Sequence, residues 1–303
     1  MIKALNLDDM FRPIAFSELR FTLLQFSGGE FHFVLKDQSY DDVEKVVITH
    51  RVNTPADIVL LHIAADALRK VGIRDLDLVM PYLPYARQDR HNEENYGESF
   101  TLEVFANLIN LIGFKQIYSL DVHSDVAPAL IKNLKSIKNL SYVVRAIQSS
   151  RTVTIQNGAV TTYIKNPDPI WLISPDSGAN KKANKLYSDL SKLEMFTIKG
   201  LVKCDKQRDV KTGKLSGFEI PSIDFEGLDC IIVDDICDGG GTFVGLGHEL
   251  KKRNINNLYL FVSHGIFSQG YQDLGTIFKE IYTTNSFKDI DKNYFVHQFK
   301  FEI

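Results

Sequence analysis

The sequence predicts an α/β protein of two tandem domains, each a mainly parallel sheet flanked by helices. Two observations carry this. Short apolar runs of strand length alternate with amphipathic runs of helix length, and the alternation occurs twice. Acids, histidine and glycine gather where the strands end. A length of 303 residues suits two domains.

In the first half, Ile58 to Lys70 sets Leu60, Leu61, Ala64, Ala67 and Leu68 on one helical face, and Gly72 supplies a stop. Leu76 to Met80 is apolar, with charge before it and Pro81 after it, which marks a buried strand. Phe100 to Ile112 reads as a helix closed by Gly113. Gln116 to Leu120 reads as a strand that delivers Asp121 and His123 at its carboxyl end. The second half repeats the grammar. Ile170 to Ile173, Cys230 to Val233 and Leu258 to Val262 are strands, while Ala179 to Leu193 and Thr242 to Arg253 are helices. The stretch from Val143 to Pro169 between the halves is weakly patterned. The expected domains are therefore residues 1–142 and 143–303. The repeat lies in architecture, without strong residue-level self-similarity.

Composition narrows the function. Hydrophobic residues make up 44% and charged residues 24%, as in ordinary globular domains with real cores. Lys and Arg total 35 against 38 Asp and Glu, a net charge of -3. No basic excess points to nucleic acid or an anionic membrane, so neither is expected as a partner. The three cysteines, Cys204, Cys230 and Cys237, lack the count and spacing of a disulfide framework or a structural zinc site. The residues Met1 to Asp9 lack the apolar core of a signal peptide. Runs such as Ile58 to Leu61 and Cys230 to Val233 are too short to span a bilayer. A reduced, cytoplasmic setting is the expectation.

The sharpest local signal is Ile231-Ile232-Val233-Asp234-Asp235-Ile236-Cys237-Asp238-Gly239-Gly240-Gly241-Thr242. A buried strand ends in two acids, and three glycines and a threonine then open a helix. Glycines let the backbone approach a ligand closely. Amides at a helix N-terminus bind anions, and Thr242 adds a hydroxyl. A Walker loop would carry Lys where Gly241 stands. Two adjacent carboxylates suit the donors of vicinal sugar hydroxyls, with Asp238 at the loop's mouth. The combination reads as a site for a phosphorylated ribose. The alternative is a turn that merely uses glycine, with Asp as a cap.

This loop resembles the phosphoribosyl-binding loop of type I phosphoribosyltransferase-like proteins. That fold includes transferases, transcription regulators and synthetases of phosphoribosyl pyrophosphate (PRPP). Pro81-Tyr82-Leu83-Pro84-Tyr85-Ala86-Arg87-Gln88-Asp89-Arg90 is similar to the signature of the last group, the ribose-phosphate pyrophosphokinases. There Arg87, Gln88 and Asp89 would hold ATP. Guanidinium can stack on a purine or fork onto phosphate, and Gln can read a purine edge. Asp121-Val122-His123-Ser124 resembles the segment whose His, here His123, holds magnesium-ATP. Ser174-Pro175-Asp176-Ser177-Gly178 resembles the segment that places a magnesium-site acid at Asp176. Asp205-Lys206-Gln207-Arg208 is similar to the start of the mobile catalytic loop, which would make Lys206 and Arg208 the catalytic cations. The Lys-, Ser- and Gly-rich run Asp209 to Gly217 would continue it. Phe26-Ser27-Gly28-Gly29-Glu30 resembles the segment whose Phe26 and Glu30 reach the adenine of a neighbouring subunit. Ser263 to Ser268 and Thr283 to Asn285 match later landmarks.

The resemblance runs in order from Phe26 to Asn285 and implies two phosphoribosyltransferase-like domains. The implied activity is transfer of the diphosphoryl group of ATP to the C1 hydroxyl of ribose 5-phosphate. Magnesium is the implied cofactor, and self-association into a dimer or hexamer is implied. Asp234 and Asp235 would hold the ribose hydroxyls, and Asp238, Gly239, Gly240, Gly241 and Thr242 the 5-phosphate. Three readings compete with this: a non-catalytic homologue that binds nucleotide, a transferase that consumes PRPP, and a fold-related transcription regulator. The chain also departs from the family pattern. His91 to Ser99 is acidic where a basic stretch is usual, so weak or absent regulation by ADP and phosphate is expected. Gly239 stands for Thr, Gly28 for a polar residue and Ala179 for Gly. The sequence closes at Phe301-Glu302-Ile303, where the family often continues into a helix.

Overall fold

The computed structural model describes residues 1–90, 97–157, 160–208, 215–291 and 293–303. In segments 153–157, 160–165, 207–208 and 215–216 the backbone alone is described. Most of the acidic segment read as unfavourable to regulation, residues 91–96, lies outside the described residues. The chain forms two units. One comprises Met1–Lys138 with Lys300–Ile303, the other Asn139–Phe299.

The first unit runs β1 (Ile2–Asn6), β2 (Phe21–Gln25), β3 (Phe31–Leu35), β4 (Lys45–Thr49), α1 (Pro55–Lys70) and β5 (Asp75–Val79). It continues with α2 (Thr101–Ile112), β6 (Gln116–Leu120), α3 (Ala127–Leu130) and β7 (Leu134–Ile137). A five-stranded sheet has the order β1-β4-β5-β6-β7. Every pairing in it is parallel. Strands β2 and β3 form a separate antiparallel ribbon in which Phe21 pairs with Leu35 and Gln25 with Phe31. The core joins Leu5, Ile48, Leu76 and Leu78 of the sheet to Leu61, Ala64 and Leu68 of α1 and to Phe105 and Ile109 of α2. The α1 positions are three and four residues apart, which is why this face packs.

The second unit runs α4 (Leu140–Ser150), β8 (Thr152–Asn157), β9 (Val160–Lys165), β10 (Ile170–Ser174), α5 (Asn180–Ser191), β11 (Ile198–Lys203), β12 (Asp205–Arg208) and β13 (Leu215–Glu219). It then continues through β14 (Asp229–Cys237), α6 (Gly241–Lys251), β15 (Leu258–Gly265), α7 (Gln272–Ile277), β16 (Glu280–Thr284) and β17 (Val296–Phe299). Its main sheet has the order β11-β10-β14-β15-β16-β17. All of its pairings are parallel. All eight residues of β15 are buried, as expected of a central strand covered on both faces. The pairs β8–β9 and β12–β13 are antiparallel ribbons.

Three features differ from the sequence reading. The weakly patterned stretch from Val143 is structured: α4 buries Tyr142, Val143, Ala146 and Ile147, and a ribbon follows. The β-branched runs of 152–155 and 160–164 were the missed strand signal. Strand β14 does not stop at Val233. It pairs with β15 through Asp234↔Val262, Ile236↔His264 and Cys237↔Gly265, so both acids stand on a strand. Finally, the segment after Lys206 is not loop throughout, because Leu215–Glu219 pairs back onto Asp205–Arg208.

The start of α1 is held by Asp57. Its Oδ2 accepts the amides of Asn53 at 2.9 Å and Thr54 at 2.7 Å, and the Thr54 hydroxyl at 2.9 Å. His50 Nε2 lies 3.1 Å from Oδ1. Burial alone would push the Asp57 carboxyl up, but the bonds from His50 and Thr54 outweigh it and hold the group down at about 2. The folded value lies below that of an unfolded Asp, about 3.9. The contribution is therefore complete above pH ~4 and lost as pH falls through about 2. Asp57→Ala is expected to lower stability in denaturant titrations at pH 7 by about 1–2 kcal/mol, the usual range for a lost cap. The gap between variant and parent should narrow on acidification toward pH 2.

Candidate active site

In the second sheet, the chain crosses from β10 outward to β11 and then returns to β14 on the other side of β10. The strand order therefore reverses between β10 and β14. In open parallel sheets the crevice outside the carboxyl ends of such strands is where ligands bind. Asp176 follows β10, and Asp234 and Asp235 lie in the last half of β14.

The charges at this point are balanced in pairs. Lys206, on β12, forms an ion pair with Asp176 Oδ2. The other oxygen of Asp176 accepts the Ala179 amide at 3.0 Å, which ties the carboxylate to the loop before α5. Lys182, on the first turn of α5, places Nζ 2.7 Å from Asp235 Oδ2. Asp234 Oδ1 accepts the Asp235 amide at 2.9 Å. Burial pushes the Asp234 carboxyl well above the usual carboxylate range, and the neighbouring charges of Asp235 and Asp176 push it further. The Asp235 amide and Lys206 oppose that shift. A site that disfavours a second negative charge in this way draws hydrogen-bond donors and cations.

Beyond the acids, Gly240 at φ 82 caps α6, and the first helical bond runs from the Val244 amide to the Gly240 carbonyl at 3.0 Å. The amides of Gly241 to Phe243 precede that bond and point along the helix axis, as anion-binding amides do. Thr242 is half-buried beside them. Asp238 is turned to one side: its Oδ1 accepts the Ser268 hydroxyl at 2.7 Å, and its carbonyl accepts the Ser268 amide at 3.1 Å. The amides of Ile266 and Phe267 bond the Cys237 carbonyl, so the turn after β15 braces the glycine loop from behind. Cys237 is buried beneath it, and burial pushes its thiol up, which disfavours the reactive thiolate. Of the expected catalytic cations, Lys206 is thus placed beside the acids. Arg208 shares its strand, but its side chain lies outside the described residues.

In the first unit, the segment after β5 and the segment after β6 face one another. Leu120 donates to the Pro81 carbonyl at 2.8 Å, and the Ser119 hydroxyl does so at 3.2 Å. A cleft of about 580 Å³ opens there, lined by Arg87, Gln88, Asp89 and Arg90 on one side and His123 on another, with Glu98 at its edge. The size suits a small-molecule ligand. Tyr85 at φ 62 and Asp121 at φ 39, each two residues before a lining residue, have backbone that L-residues seldom adopt. Such outliers concentrate at functional sites. The Tyr85 ring packs 5.3 Å from Phe105 of α2, and the Gln88 amide donates to the Tyr85 carbonyl, so the turn is braced from below. The Ser124 hydroxyl accepts the amides of Val126 and Ala127, which fixes the residue after His123.

Phe26 and Glu30 stand at the tip of the β2–β3 ribbon, which is closed by the Phe26 amide on the Glu30 carbonyl at 2.9 Å. Phe26 is 53% exposed, and neither residue lines the Arg87 cleft. No group of three or more His, Cys, Asp or Glu side chains able to hold a metal occurs among the described residues. Asp176, the expected magnesium-site acid, is a single carboxylate just after the end of β10, and magnesium commonly takes one or two carboxylates plus phosphate oxygens and waters. The sequence reading overlooked Lys182, and it named Ser268 only as part of a landmark segment, without a role beside Asp238. Lys182 could have been suspected from two lysines in the first turn of a helix, where the dipole disfavours cations.

Together these features define a two-unit α/β protein with an acid-lined crevice beside a glycine loop in one unit and a cleft of charged side chains in the other. Comparison with known proteins gives the same class. Residues 10–113 match the sequence profile of the N-terminal domain of ribose phosphate pyrophosphokinase, and residues 154–302 match that of the phosphoribosyl transferase domain. A ribose-phosphate pyrophosphokinase of Mycoplasmopsis pulmonis is 26% identical over 86% of this chain and 74% of its own length. That of Saccharolobus solfataricus is 25% identical over 72% of this chain and 67% of its own length. The alignment with that of Corynebacterium glutamicum, at 27% identity, spans 56% of that protein. The crystal structure of phosphoribosylpyrophosphate synthetase from Mycobacterium smegmatis superposes with a TM-score of 0.74 over 94% of this chain and 87% of that one, at 21% identity. The chain belongs to the ribose-phosphate pyrophosphokinase family, and the α/β class with two such domains expected from its sequence holds.

The glycine loop can be tested for shape. At Gly240 an added Cβ would meet Leu274 at 3.3 Å and carry a left-handed φ, whereas at Gly239 the nearest atom is 3.5 Å away, in ordinary contact. Gly240→Ala should lower the denaturation free energy by about 1–3 kcal/mol, and Gly239→Ala by less than about 1.

Proposed function

We propose that the chain is a ribose-phosphate pyrophosphokinase that makes PRPP and AMP from ribose 5-phosphate and ATP. The observation that carries the reading is the crevice at the reversal of the second sheet, where an acid pair on β14 is followed directly by the glycine loop and helix α6. Asp234 and Asp235 accept the ribose hydroxyls. Gly239, Gly240, Gly241 and Thr242 hold the 5-phosphate through amides and a hydroxyl, with Asp238 at the mouth of the loop. Arg87, Gln88 and Asp89 hold ATP with His123, in keeping with their shared cleft. The ring of Phe26 and the carboxylate of Glu30 serve adenine bound to a second copy of the chain. Their exposure at a ribbon tip away from their own cleft supports that arrangement and a homo-oligomer.

In the reaction, the C1 oxygen bonds to the β-phosphorus while the bond from that phosphorus to the α-phosphate oxygen breaks. AMP leaves with the electron pair, and the hydroxyl proton passes to solvent. Such transfers depend on positioning and charge stabilisation more than on covalent catalysis. Lys206 and Arg208 stabilise the charge on the group in transfer. Asp176 and His123 are the residues that would hold magnesium, which screens phosphate charge when bound with ATP. Lys206 is ion-paired to Asp176, so the lysine must leave that carboxylate to reach the transferring group. The reaction class and the expected reduced thiols suit the cytoplasm. No helix among the described residues is long and apolar enough to cross a membrane.

The test is AMP release by purified protein with magnesium and ATP, with and without ribose 5-phosphate. AMP formed only with the sugar, together with PRPP by mass spectrometry, is the expected result. No AMP under any condition, with ATP still bound, would indicate a non-catalytic homologue. Lys206→Ala and Arg208→Ala should each lower kcat more than about tenfold with modest change in the KM for ribose 5-phosphate. Near-normal turnover in both would remove them from catalysis.

A further inference from the structure

Lys182 sits on the first turn of α5, directly after Lys181 and with no acid in that turn. The N-terminal end of a helix carries partial positive charge, so a lysine there is unfavourable on local grounds. Residues that break a local rule need a reason elsewhere, and functional sites are where such breaks are expected. The reason here is on another element. Lys182 Nζ reaches Asp235 Oδ2 at 2.7 Å, across from α5 to β14. Asp235 is only 6% exposed, whereas the lysine side chain is 36% exposed. The pair therefore joins a nearly immobile carboxylate to a cation at the rim of the crevice.

The other members of the cluster make the assignment selective. Lys206, from β12, is engaged with Asp176. The charges of Asp176 and Lys206 both act on Asp234, the first raising its carboxyl and the second lowering it. Two ion pairs therefore cross the site, Lys206 with Asp176 and Lys182 with Asp235. A charge-assisted bond fixes both the direction and the distance of an acceptor. An acceptor so fixed on a strand meets a sugar hydroxyl without reorganising.

We propose that Lys182 is a positioning residue for sugar recognition, holding the Asp235 carboxylate in the orientation that accepts a ribose hydroxyl. The inference rests on the reading of this crevice as the ribose 5-phosphate site, and it separates two lysines by role. Lys206 acts on the group in transfer and Lys182 acts on the sugar through Asp235. Loss of Lys182 therefore acts on KM for the sugar, while loss of Lys206 acts on kcat.

The test compares Lys182→Met, Lys182→Gln and Lys182→Arg in the full chain, with melting temperatures to check that each is folded. Lys182→Met and Lys182→Gln should raise the KM for ribose 5-phosphate about tenfold, with kcat within about twofold and the KM for ATP unchanged. Lys182→Arg should restore the sugar KM to within about threefold of the parent, because guanidinium can still bind the carboxylate. Calorimetric titration of ribose 5-phosphate without ATP should show the same weakening in Met and Gln and the same rescue in Arg. An unchanged sugar KM and affinity in folded Lys182→Met and Lys182→Gln would overturn the role, as would a loss confined to kcat. If the parent binds ribose 5-phosphate but releases no AMP, the synthetase reading fails while the calorimetric comparison still decides the role of Lys182. If the parent does not bind the sugar, both fail.

Discussion

The structure of the second unit depends on one constraint: two adjacent carboxylates, Asp234 and Asp235, are held on a buried strand instead of in a solvated loop. Strand β14 carries them because it stays paired with β15 past the acids, to Cys237 and Gly265. Placing two acids there is unfavourable in the free protein, as the raised Asp234 carboxyl shows. The surroundings answer with two lysines from separate elements, Lys182 from α5 and Lys206 from β12. The fold thus gathers two carboxylates and two cations at the place where the strand order reverses, the general position for ligands in open parallel sheets.

The glycine loop follows from the same strand. Once β14 ends at Cys237, the chain must turn at once into α6, and Gly240 takes the left-handed conformation that allows it. The turn is braced from the next strand, where the amides of Ile266 and Phe267 bond the Cys237 carbonyl and Ser268 bonds Asp238. The acid pair and the glycine turn therefore lie within one short stretch of chain, from the end of β14 to the start of α6. The residues that line the cleft of the first unit are held differently. Arg87 and Gln88 are exposed on a turn, and it is the backbone around Tyr85 and Asp121 that is fixed.

Much of this was legible in the sequence, and the reasons are specific. The motif from Ile231 to Thr242 combines strand, acids, glycines and helix start in twelve residues of contiguous chain, so its strand-turn-helix form needed no tertiary information. The Arg87 segment and His123 lie far apart in sequence, and only the pairing of β5 with β6 brings them to one cleft. Their place at the ends of neighbouring strands was inferable from the α/β pattern; their shared cleft was not. Lys182 carries one local hint, its place in the first turn of a helix, but its partner is 53 residues away and the pairing itself is not written locally. The helix α4 was missed because its apolar residues, Tyr142, Val143, Ala146 and Ile147, are interrupted by Arg145 and followed by a polar run. Strand β14 was cut short because acids weigh against a strand in any local reading, and here the ladder with β15 overrides that preference.

The central claim is that β14 and the start of α6 form one site for a phosphorylated ribose, and a crystal structure of the protein with ribose 5-phosphate tests it most directly. The account predicts the 5-phosphate on the amides of Gly241 and Thr242, with sugar hydroxyls within hydrogen-bond distance of Asp234 and Asp235. A sugar bound elsewhere, or bound here with its hydroxyls turned away from both acids, would contradict it.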